Sequence, residues 1–131
     1  MNSYIKSIQN SNNAIVLALI TKDKGEHIGN IALQSINWIS RSGEIAFLLG
    51  DKNAWGKGYM EEAGKLLMQH AFTNLALHRI YCGTVKENIG MNKLALKLGM
   101  QHEGSSVDAF YKNGRYHDIE HYAIINKSDN K

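Results

Sequence analysis

The chain has 131 residues, of which 44% are hydrophobic and 21% are charged, with one cysteine and no proline. This composition fits one globular domain and excludes disordered and collagen-like classes. No apolar run reaches the roughly 18 residues of a membrane-spanning helix, so we expect no membrane partner. A net charge of +3 without basic clusters permits an anionic ligand and predicts no nucleic-acid partner. Because the lone Cys82 can form no internal disulfide, we expect a reducing, cytoplasmic compartment.

The first half of the chain predicts a short helical segment followed by strands. Tyr4, Ile5 and Ile8 stand at helical spacing, which predicts a short helix, or the last turns of one, over Met1–Asn10. Three strands separated by turn residues follow, at Ala14–Thr21, His27–Ile36 and Glu44–Leu49. A polar loop then leads into the strongest helical pattern of the sequence. Six residues share its apolar stripe: Met60, Ala63, Gly64, Leu67, Ala71 and Leu75.

The second half alternates strand and helix before a closing hairpin. Ile80–Val85 is predicted as a strand buried on both faces, because its apolar residues do not alternate cleanly. A second helix at Ile89–Leu98 ends at Gly99. The last two strands, around Met100–Ala109 and Tyr116–Ile125, are joined by a turn with Asn-Gly at its centre. The sequence therefore predicts a single α/β (α+β) domain over 1–131. Its mixed, mostly antiparallel sheet would comprise a meander, a central β-α-β unit and a hairpin.

The loop Asn53–Tyr59, which precedes the first long helix, is the most informative stretch. Its glycines, Gly56 and Gly58, let a ligand approach the backbone, and Lys57 adds a cation. The N-terminus of the following helix offers unpaired N–H groups and a partial positive charge. This arrangement predicts a phosphate or pyrophosphate site, and a plain tight turn between strand and helix is the structural alternative.

Two common phosphate-binding loops fit this stretch poorly. A Walker A loop has four residues between its first glycine and Gly-Lys-Ser/Thr. Here five residues separate Gly50 from Gly56, and Gly58 occupies the position of the hydroxyl residue. A dinucleotide fingerprint needs a third glycine where Glu61 stands, and it expects a strand order that the opening meander does not supply.

A third type of loop fits better. Asn53–Gly58 (Asn-Ala-Trp-Gly-Lys-Gly) resembles the acetyl-CoA loop of the GNAT (N-acetyltransferase) superfamily, Arg/Gln-x-x-Gly-x-Gly/Ala, with asparagine in the first position. Trp55–Tyr59 followed by Glu-Glu-Ala is similar to the branch that includes ribosomal-protein N-terminal acetyltransferases of the RimJ/RimL type. Further matches lie downstream in the family's order, at His78–Ile80, Asn88, Lys97–Met100, Glu103–Gly104 and Tyr111–Asp118. The resemblance covers roughly Glu26–Ile125.

The resemblance implies a GNAT fold that uses acetyl-CoA as co-substrate and needs no metal. In that fold the third predicted strand and the central strand splay apart around the pantetheine arm. Backbone groups of Phe47, Leu48 and Leu49 would pair with the arm, and one of their N–H groups would stabilise the thioester oxyanion. Asn88 would contact the arm from the other side. The loop residues expected to bind acetyl-CoA are Asn53, Trp55, Gly56, Lys57, Gly58 and Tyr59.

The implied reaction is direct attack of an amine on the thioester, for which a base must remove the ammonium proton. Glu44 resembles the glutamate that some family members use for this step, directly or through water, and a solvated strand residue is the alternative. The acceptor is left open among a protein N-terminus, an amino sugar and another small metabolite. Without efficient turnover, the same chain would be a non-catalytic acyl-CoA-binding or interaction module.

Several positions depart from the family pattern. Ala95 stands where many relatives carry the tyrosine that protonates the leaving thiolate, and Met91 and Val107 replace a serine and an arginine of the RimJ/RimL-type branch. Tyr111 and Tyr116 are the remaining candidates for this acid, and we assign the role to Tyr111.

The titratable residues outside the loop predict no further site. His117 and His121 have a His-x-x-x-His spacing, but they lie on a predicted strand without a third ligand, so we expect no metal site. Cys82 stands in an apolar strand and is expected to be an inert core thiol.

The N-terminal region is shorter than the family pattern. The family core normally begins with one more strand and a pair of helices, whereas here only Met1–Asn10 precedes the first hairpin and is similar to the tail of the second helix. The chain would then be a fragment or lack the usual acceptor-side lid. Ala14–Thr21 is therefore expected at a sheet edge, unless a second chain covers it in a homodimer.

Overall fold

A computed structural model describes the backbone of residues 3–10, 12–22, 24–49 and 58–128, and side chains within 12–48 and 58–128 except at 21 and 23. Its strands are β1 Ser3–Asn10, β2 Ile15–Thr21, β3 His27–Asn37, β4 Ser42–Leu49, β5 Arg79–Val85, β6 Gln101–Lys112 and β7 Arg115–Ile125. Its helices are α1 Tyr59–Thr73 and α2 Ile89–Lys97.

These strands form one sheet in the order β1-β2-β3-β4-β5-β7-β6. Neighbouring strands run antiparallel except β4 and β5, which are parallel and are connected through α1. This arrangement confirms the predicted mixed, mostly antiparallel sheet with a central β-α-β unit. The closing hairpin is confirmed as well: Asn113 and Gly114 both have positive φ, as the two-residue turn between β6 and β7 requires.

The N-terminal segment differs from its prediction. The expected helix over Met1–Asn10 is wrong, because Ser3–Asn10 forms β1 and pairs antiparallel with β2 from Ser3↔Thr21 to Asn10↔Ile15. A helix of ten residues is only marginally stable in water, whereas β2 offers backbone partners along β1 apart from a register shift between Ser7 and Gln9, and isoleucine and tyrosine suit a strand. The predicted edge position of Ala14–Thr21 is also wrong, since β1 lies beyond β2.

Both helices pack against one face of the sheet, which we call the helix-covered face. The buried residues of α1 contact those of the strands in one core, and α2 joins this core through Leu94, Ala95 and the following Leu98. Gly64 of α1 makes close approach possible, because a Cβ there would lie 2.8 Å from Leu98 Cδ2. The largest fully buried side chains are Leu19, Ile31, Leu33, Ile45, Leu67, Leu77 and Ile80.

The alternate residues of the same strands face the other way and form what we call the polar face. It carries Gln34, Glu44, Arg79, Glu103 and His121. The prediction that the strand at Ile80–Val85 is buried on both faces is therefore wrong. Ile80, Cys82 and Thr84 are buried, whereas Gly83 between them is exposed. Among the described residues no helix is long and apolar enough to cross a membrane.

Candidate active site

The central feature of the site is a gap between β4 and β5. The two strands pair only at Ser42↔Arg79, Gly43↔Ile80 and Glu44↔Tyr81. Within the described residues, the later parts of both strands pair only with their other neighbours, β3 and β7. Alternate backbone N–H and C=O groups along each inner edge therefore face the gap. The gap opens at the carboxyl ends of two parallel strands, the end of α/β sheets at which ligands bind.

Glu44 stands at the vertex of this gap, because it belongs to the last residue pair before the strands separate. Its side chain is half-buried on the polar face, and its Oε1 accepts a hydrogen bond from Gln34 Nε2 at 3.0 Å. Gln34 lies directly opposite on β3, so the bond fixes the carboxylate within the sheet. The position suits a group that must reach a reacting atom in the gap.

The β4 residues predicted to bind the pantetheine arm follow Glu44 along the edge of the gap. The Phe47 ring packs against α1, with its Cζ 3.3 Å from the place a Cβ on Gly64 would occupy. Leu48 points away from the helices and is 65% exposed. The backbone of Leu49 pairs with Gly29 of β3. β4 is therefore held by β3 along one backbone edge and by α1 on one face, and its other backbone edge faces the gap.

The expected anion site at the N-terminus of α1 falls only in part within the described residues. Gly58 is the N-cap, with φ 80°, a left-handed conformation that favours glycine, and no side chain caps the helix. Tyr59 opens the helix, so its backbone N–H is among the first-turn donors that an α-helix leaves without an intrahelical partner. The other loop residues, Asn53, Trp55, Gly56 and Lys57, lie outside the described residues.

Asn88 lies across the gap, where it caps α2. Its Oδ1 accepts the backbone N–H of Met91 at 3.1 Å, so its side-chain amino group is the part that could donate to a ligand. Sequence reasoning missed the network that holds this loop. Asn92 Nδ2 donates to the carbonyl oxygens of Val85, Lys86 and Asn88, and Asn92 Oδ1 accepts from the Tyr122 hydroxyl at 2.5 Å.

The structure does not bring Tyr111 together with Glu44. Tyr111 pairs with Tyr116 near the tip of the β6–β7 hairpin, and their rings meet edge to face at 5.0 Å. The β7 residue level with Glu44 is Ala123, seven positions from Tyr116. At about 3.3 Å per residue, the two levels are roughly 23 Å apart along the sheet.

A cavity of about 310 Å³ opens on the polar face beside Tyr81, the strand neighbour of Glu44. Arg79 donates two hydrogen bonds to Glu103 along one wall, at 2.6 and 2.8 Å, and its guanidinium lies 5.7 Å from the centre of the Tyr81 ring. The hydrogen bonds from Arg79 hold the pKa of Glu103 below its usual range.

His121 lines the same cavity from β7, and its Nε2 lies 2.7 Å from Ser106 Oγ. Sequence reasoning considered His121 only as a metal ligand. The signal that could have revealed another role is Gly83, an exposed glycine inside a strand, because such a glycine commonly marks a close approach of another group.

The Cys82 thiol near the gap is buried in the core. Burial, and then the charge of Glu44, raises the pKa of Cys82 to about 11, which agrees with the expectation of an unreactive thiol. Within residues 12–48 and 58–128, no three His, Cys, Asp or Glu side chains are placed to hold a metal ion.

Comparison with known proteins places these features in a family. The family model described as "Acetyltransferase (GNAT) domain" matches residues 1–101. The spermidine N(1)-acetyltransferase of Vibrio cholerae is 34% identical over 98 residues, which cover 75% of this chain and 56% of that protein. The uncharacterized N-acetyltransferase p20 of Bacillus licheniformis is 33% identical, with 84% and 61% covered. The chain therefore spans little more than half the length of these relatives.

Solved structures share the fold. The crystal structure of the Vibrio cholerae spermidine N-acetyltransferase in complex with CoA and spermine superimposes with a TM-score of 0.80 at 30% identity. The match covers 87% of this chain and 66% of the other.

Proposed function

The chain belongs to the GNAT acetyltransferase family, and from this premise we propose that it transfers an acetyl group from acetyl-CoA to a primary amine. The observation that carries the proposal is the gap between β4 and β5. The half-buried Glu44 carboxylate lies at its vertex, and α1, whose N-terminus offers unpaired N–H groups, follows β4 in the chain. A tight turn without function would not require two neighbouring strands to part.

Acetyl-CoA fits the groups that surround the gap, and it supplies the thioester that the amine attacks. Inner-edge backbone groups at Phe47, Leu48 and Leu49 would bind the pantetheine arm in the manner of an added strand. The loop that ends at Gly58 and Tyr59 would hold the pyrophosphate with backbone N–H groups, and Asn88 would contact the arm from the α2 side. Asn53, Trp55, Gly56 and Lys57 complete the proposed acetyl-CoA site.

Glu44 is the proposed general base. Its carboxylate would take a proton from the acceptor ammonium, directly or through one water, while the bond from Gln34 holds it in place. A backbone N–H of β4 would stabilise the oxyanion that develops on the thioester. Tyr111 stays in the proposal as the candidate acid for the leaving thiolate on sequence grounds, although it requires the hairpin tip to reach the reaction centre.

The acceptor is proposed to be a small primary amine, with polyamines first among those to test. Two observations support this order: relatives named as spermidine acetyltransferases, and the half-buried Glu44 carboxylate, which is the strand neighbour of the aromatic Tyr81 on the polar face. Amino sugars and peptides with free N-termini belong in the same panel. Preference for N-terminal peptides would instead favour the proposed RimJ/RimL-type branch, which rests on Trp55–Tyr59.

Thermal unfolding with and without CoA tests the binding half of the proposal. A ligand that binds only the folded state raises its apparent stability, so millimolar CoA should raise the Tm by several degrees. The Tm should not respond to adenosine alone, which lacks the pyrophosphate and the arm. A Tm that stays constant up to millimolar CoA would remove the acetyl-CoA site.

A non-catalytic acyl-CoA-binding module is the second candidate function. The specific observation in its favour is Ala95, which stands in place of the family's acidic tyrosine and is only 2% exposed within the core. Tight CoA binding without release of CoA from acetyl-CoA, for any amine in the panel, would support this function over the first.

Assembly and location complete the proposal. β1 is one of the two outer strands of the sheet, and an outer strand offers backbone groups for pairing, which supports a homodimer. Light scattering that gives a strict monomer mass would contradict the dimer. A reducing cytoplasm suits the single, buried thiol of Cys82.

A further inference from the structure

The proposed acetyl transfer must move two protons, and Glu44 accounts for only one. The acceptor loses its first proton before attack, and the new bond leaves a second on a positively charged nitrogen. The leaving sulfur must gain a proton to depart as a thiol. Ala95 offers no hydroxyl for this step, so a second group near the gap is needed.

His121 lies where such a group is required. It pairs with Gly83 of β5, so it lies one strand away from the gap, level with a point about 7 Å beyond the vertex along β5. Because Gly83 has no side chain, the imidazole leans over the strand that borders the gap. A Cβ on Gly83 would lie 3.5 Å from His121 Nδ1 and 3.7 Å from its Cε1.

The surroundings of His121 orient its ring. Ser106 Oγ lies 2.7 Å from Nε2, so a proton on Nε2 can be donated to the hydroxyl, which leaves Nδ1 as the basic atom on the Gly83 side. The other charged and titratable groups at this cavity are Arg79, Tyr81 and Cys82 from β5, Glu103 from β6 and Tyr122 from β7. Arg79 and Glu103 neutralise each other through their two hydrogen bonds.

We propose that His121 is a catalytic residue that carries the second proton from the acceptor nitrogen to the leaving sulfur. This inference rests on the proposed acetyl transfer and gives His121 the role that sequence grounds assign to Tyr111, whose level lies roughly 23 Å from that of Glu44 along the sheet. Neutral Nδ1 takes the proton from the positively charged nitrogen after the carbon–nitrogen bond has formed. The imidazolium then gives it to the sulfur as the carbon–sulfur bond breaks. One proton remains on Glu44 and passes to water, so the sum is amide, CoA thiol and one released proton.

The test compares two substitutions at His121 with a matched control. His121→Gln retains a group that can hydrogen-bond to Ser106 but cannot carry a proton, and kcat should fall about 100-fold. His121→Ala should fall similarly and be rescued by added imidazole, which fits the enlarged cavity, in proportion to the neutral imidazole present. His102→Gln is the control, because His102 lies on the neighbouring strand and its ring contacts Tyr122, whose hydroxyl reaches α2. Its kcat should stay within about twofold of wild type.

CoA binding provides a readout that does not depend on turnover. The CoA-induced rise in Tm should be the same in His121→Gln as in wild type, because the imidazole acts on the reacting atoms and not on the cofactor arm. A kcat for His121→Gln within twofold of wild type would overturn the inference, as would a loss in His121→Ala that imidazole does not restore. Wild-type protein that releases no CoA with any amine would overturn the proposed function itself, and the inference with it.

Discussion

The two faces of the sheet use the same strands for different purposes. In β5, Ile80 and Cys82 point toward the helices and are buried, whereas Arg79 and Tyr81, which alternate with them, point to the polar face. β4 repeats this division, with Ile45 in the core and Glu44 on the other side. Because side chains alternate along a strand, each strand can hold the fold together and present chemistry at the same time.

The difference shows why the gap does not weaken the fold. β4 and β5 lose their mutual backbone pairing after three residue pairs, yet both continue to bury apolar side chains under α1 and α2. The helix-covered face therefore supplies the stability that the open ladder lacks. Substitutions on that face should change stability, and those on the polar face should change catalysis.

The largest effect is expected from Glu44→Gln on the polar face. Loss of the proposed base should lower kcat/KM by about 10²- to 10⁴-fold, because an amide cannot accept the ammonium proton. The free energy of unfolding should change little, since the amide oxygen can still accept from Gln34. Glu120→Gln is a suitable control, as that carboxylate bonds to Ser105 and His102. An identical pH–rate profile in wild type and Glu44→Gln would exclude Glu44 from the mechanism.

The next effect is expected from Ile80→Ala on the helix-covered face. Ile80 is fully buried, so removal of its side chain should lower the free energy of unfolding by about 2–5 kcal/mol in chemical denaturation. Val107→Ala, at a site that is 77% exposed, should cost less than about 0.5 kcal/mol. Equal losses in the two variants would contradict the assignment of the core.

Alkylation of Cys82 tests the core at a single atom. With its pKa raised to about 11, the thiol should react with iodoacetamide at pH 8 on the order of a hundredfold more slowly than a free cysteine of pKa about 8.5. The raised pKa also predicts a pH dependence of stability. Because the thiol loses its proton at lower pH in the unfolded chain than in the folded chain, the free energy of unfolding should fall as pH rises from about 8.5 toward 11. Alkylation at the rate of the unfolded chain would contradict a buried thiol.

Two glycines of the neighbouring strands offer a direct contrast between the faces. A Cβ at Gly43 would lie 3.2 Å from Leu33 Cδ1 in the core, whereas one at Gly83 would lie 3.1 Å from Ile119 Cγ2 and next to His121. Gly43→Ala should therefore cost about 1–3 kcal/mol of stability with kcat preserved in the folded fraction. Gly83→Ala should lower kcat about tenfold, because the added methyl group would cover the Gly83 side of the His121 imidazole, which it would contact at 3.5 Å. The same loss of kcat in both variants would contradict the assignment of stability to the helix-covered face and of catalysis to the polar face.

The smallest effect is expected from Tyr111→Phe. If the hairpin tip stays about 23 Å from the level of Glu44, kcat should change less than about twofold. A fall of tenfold or more, with the Tm unchanged, would restore Tyr111 as the acid and show that the hairpin moves to the reaction centre. Steady-state kinetics with saturating acetyl-CoA separates these outcomes.

Much of the fold was predictable because periodic apolar patterns dominate it. The α1 stripe and the Asn113–Gly114 turn are local signals. The turn is confirmed, and so is the stripe from Met60 to Ala71, whereas Leu75 lies beyond the end of the helix at Thr73. The N-terminal segment was mistaken because its spacing fits a helix, whereas long-range pairing with β2 decides its structure. A strand that is stabilised mainly by pairing with a distant strand has only a weak pattern in its own sequence.

The candidate site was predictable only where a motif carries it. The loop motif and Glu44 follow from the resemblance, but their roles stay predictions. Asn92 and His121 carry no such motif, because the bond between Asn92 and Tyr122 joins segments 30 residues apart and the place of His121 depends on its register opposite Gly83. Register sets which residues of distant segments meet, and a single sequence does not encode it in a short pattern.

The most direct test of the central claim is the release of CoA thiol from acetyl-CoA, followed with a thiol reagent in the presence of spermidine, amino sugars and N-terminal peptides. Wild-type protein should release CoA with saturation in at least one amine and form one acetylated amine per thiol, and Glu44→Gln should lose at least 99% of that rate, about 100-fold. No release above the uncatalysed rate with any amine, from protein whose Tm rises with CoA, would contradict the account.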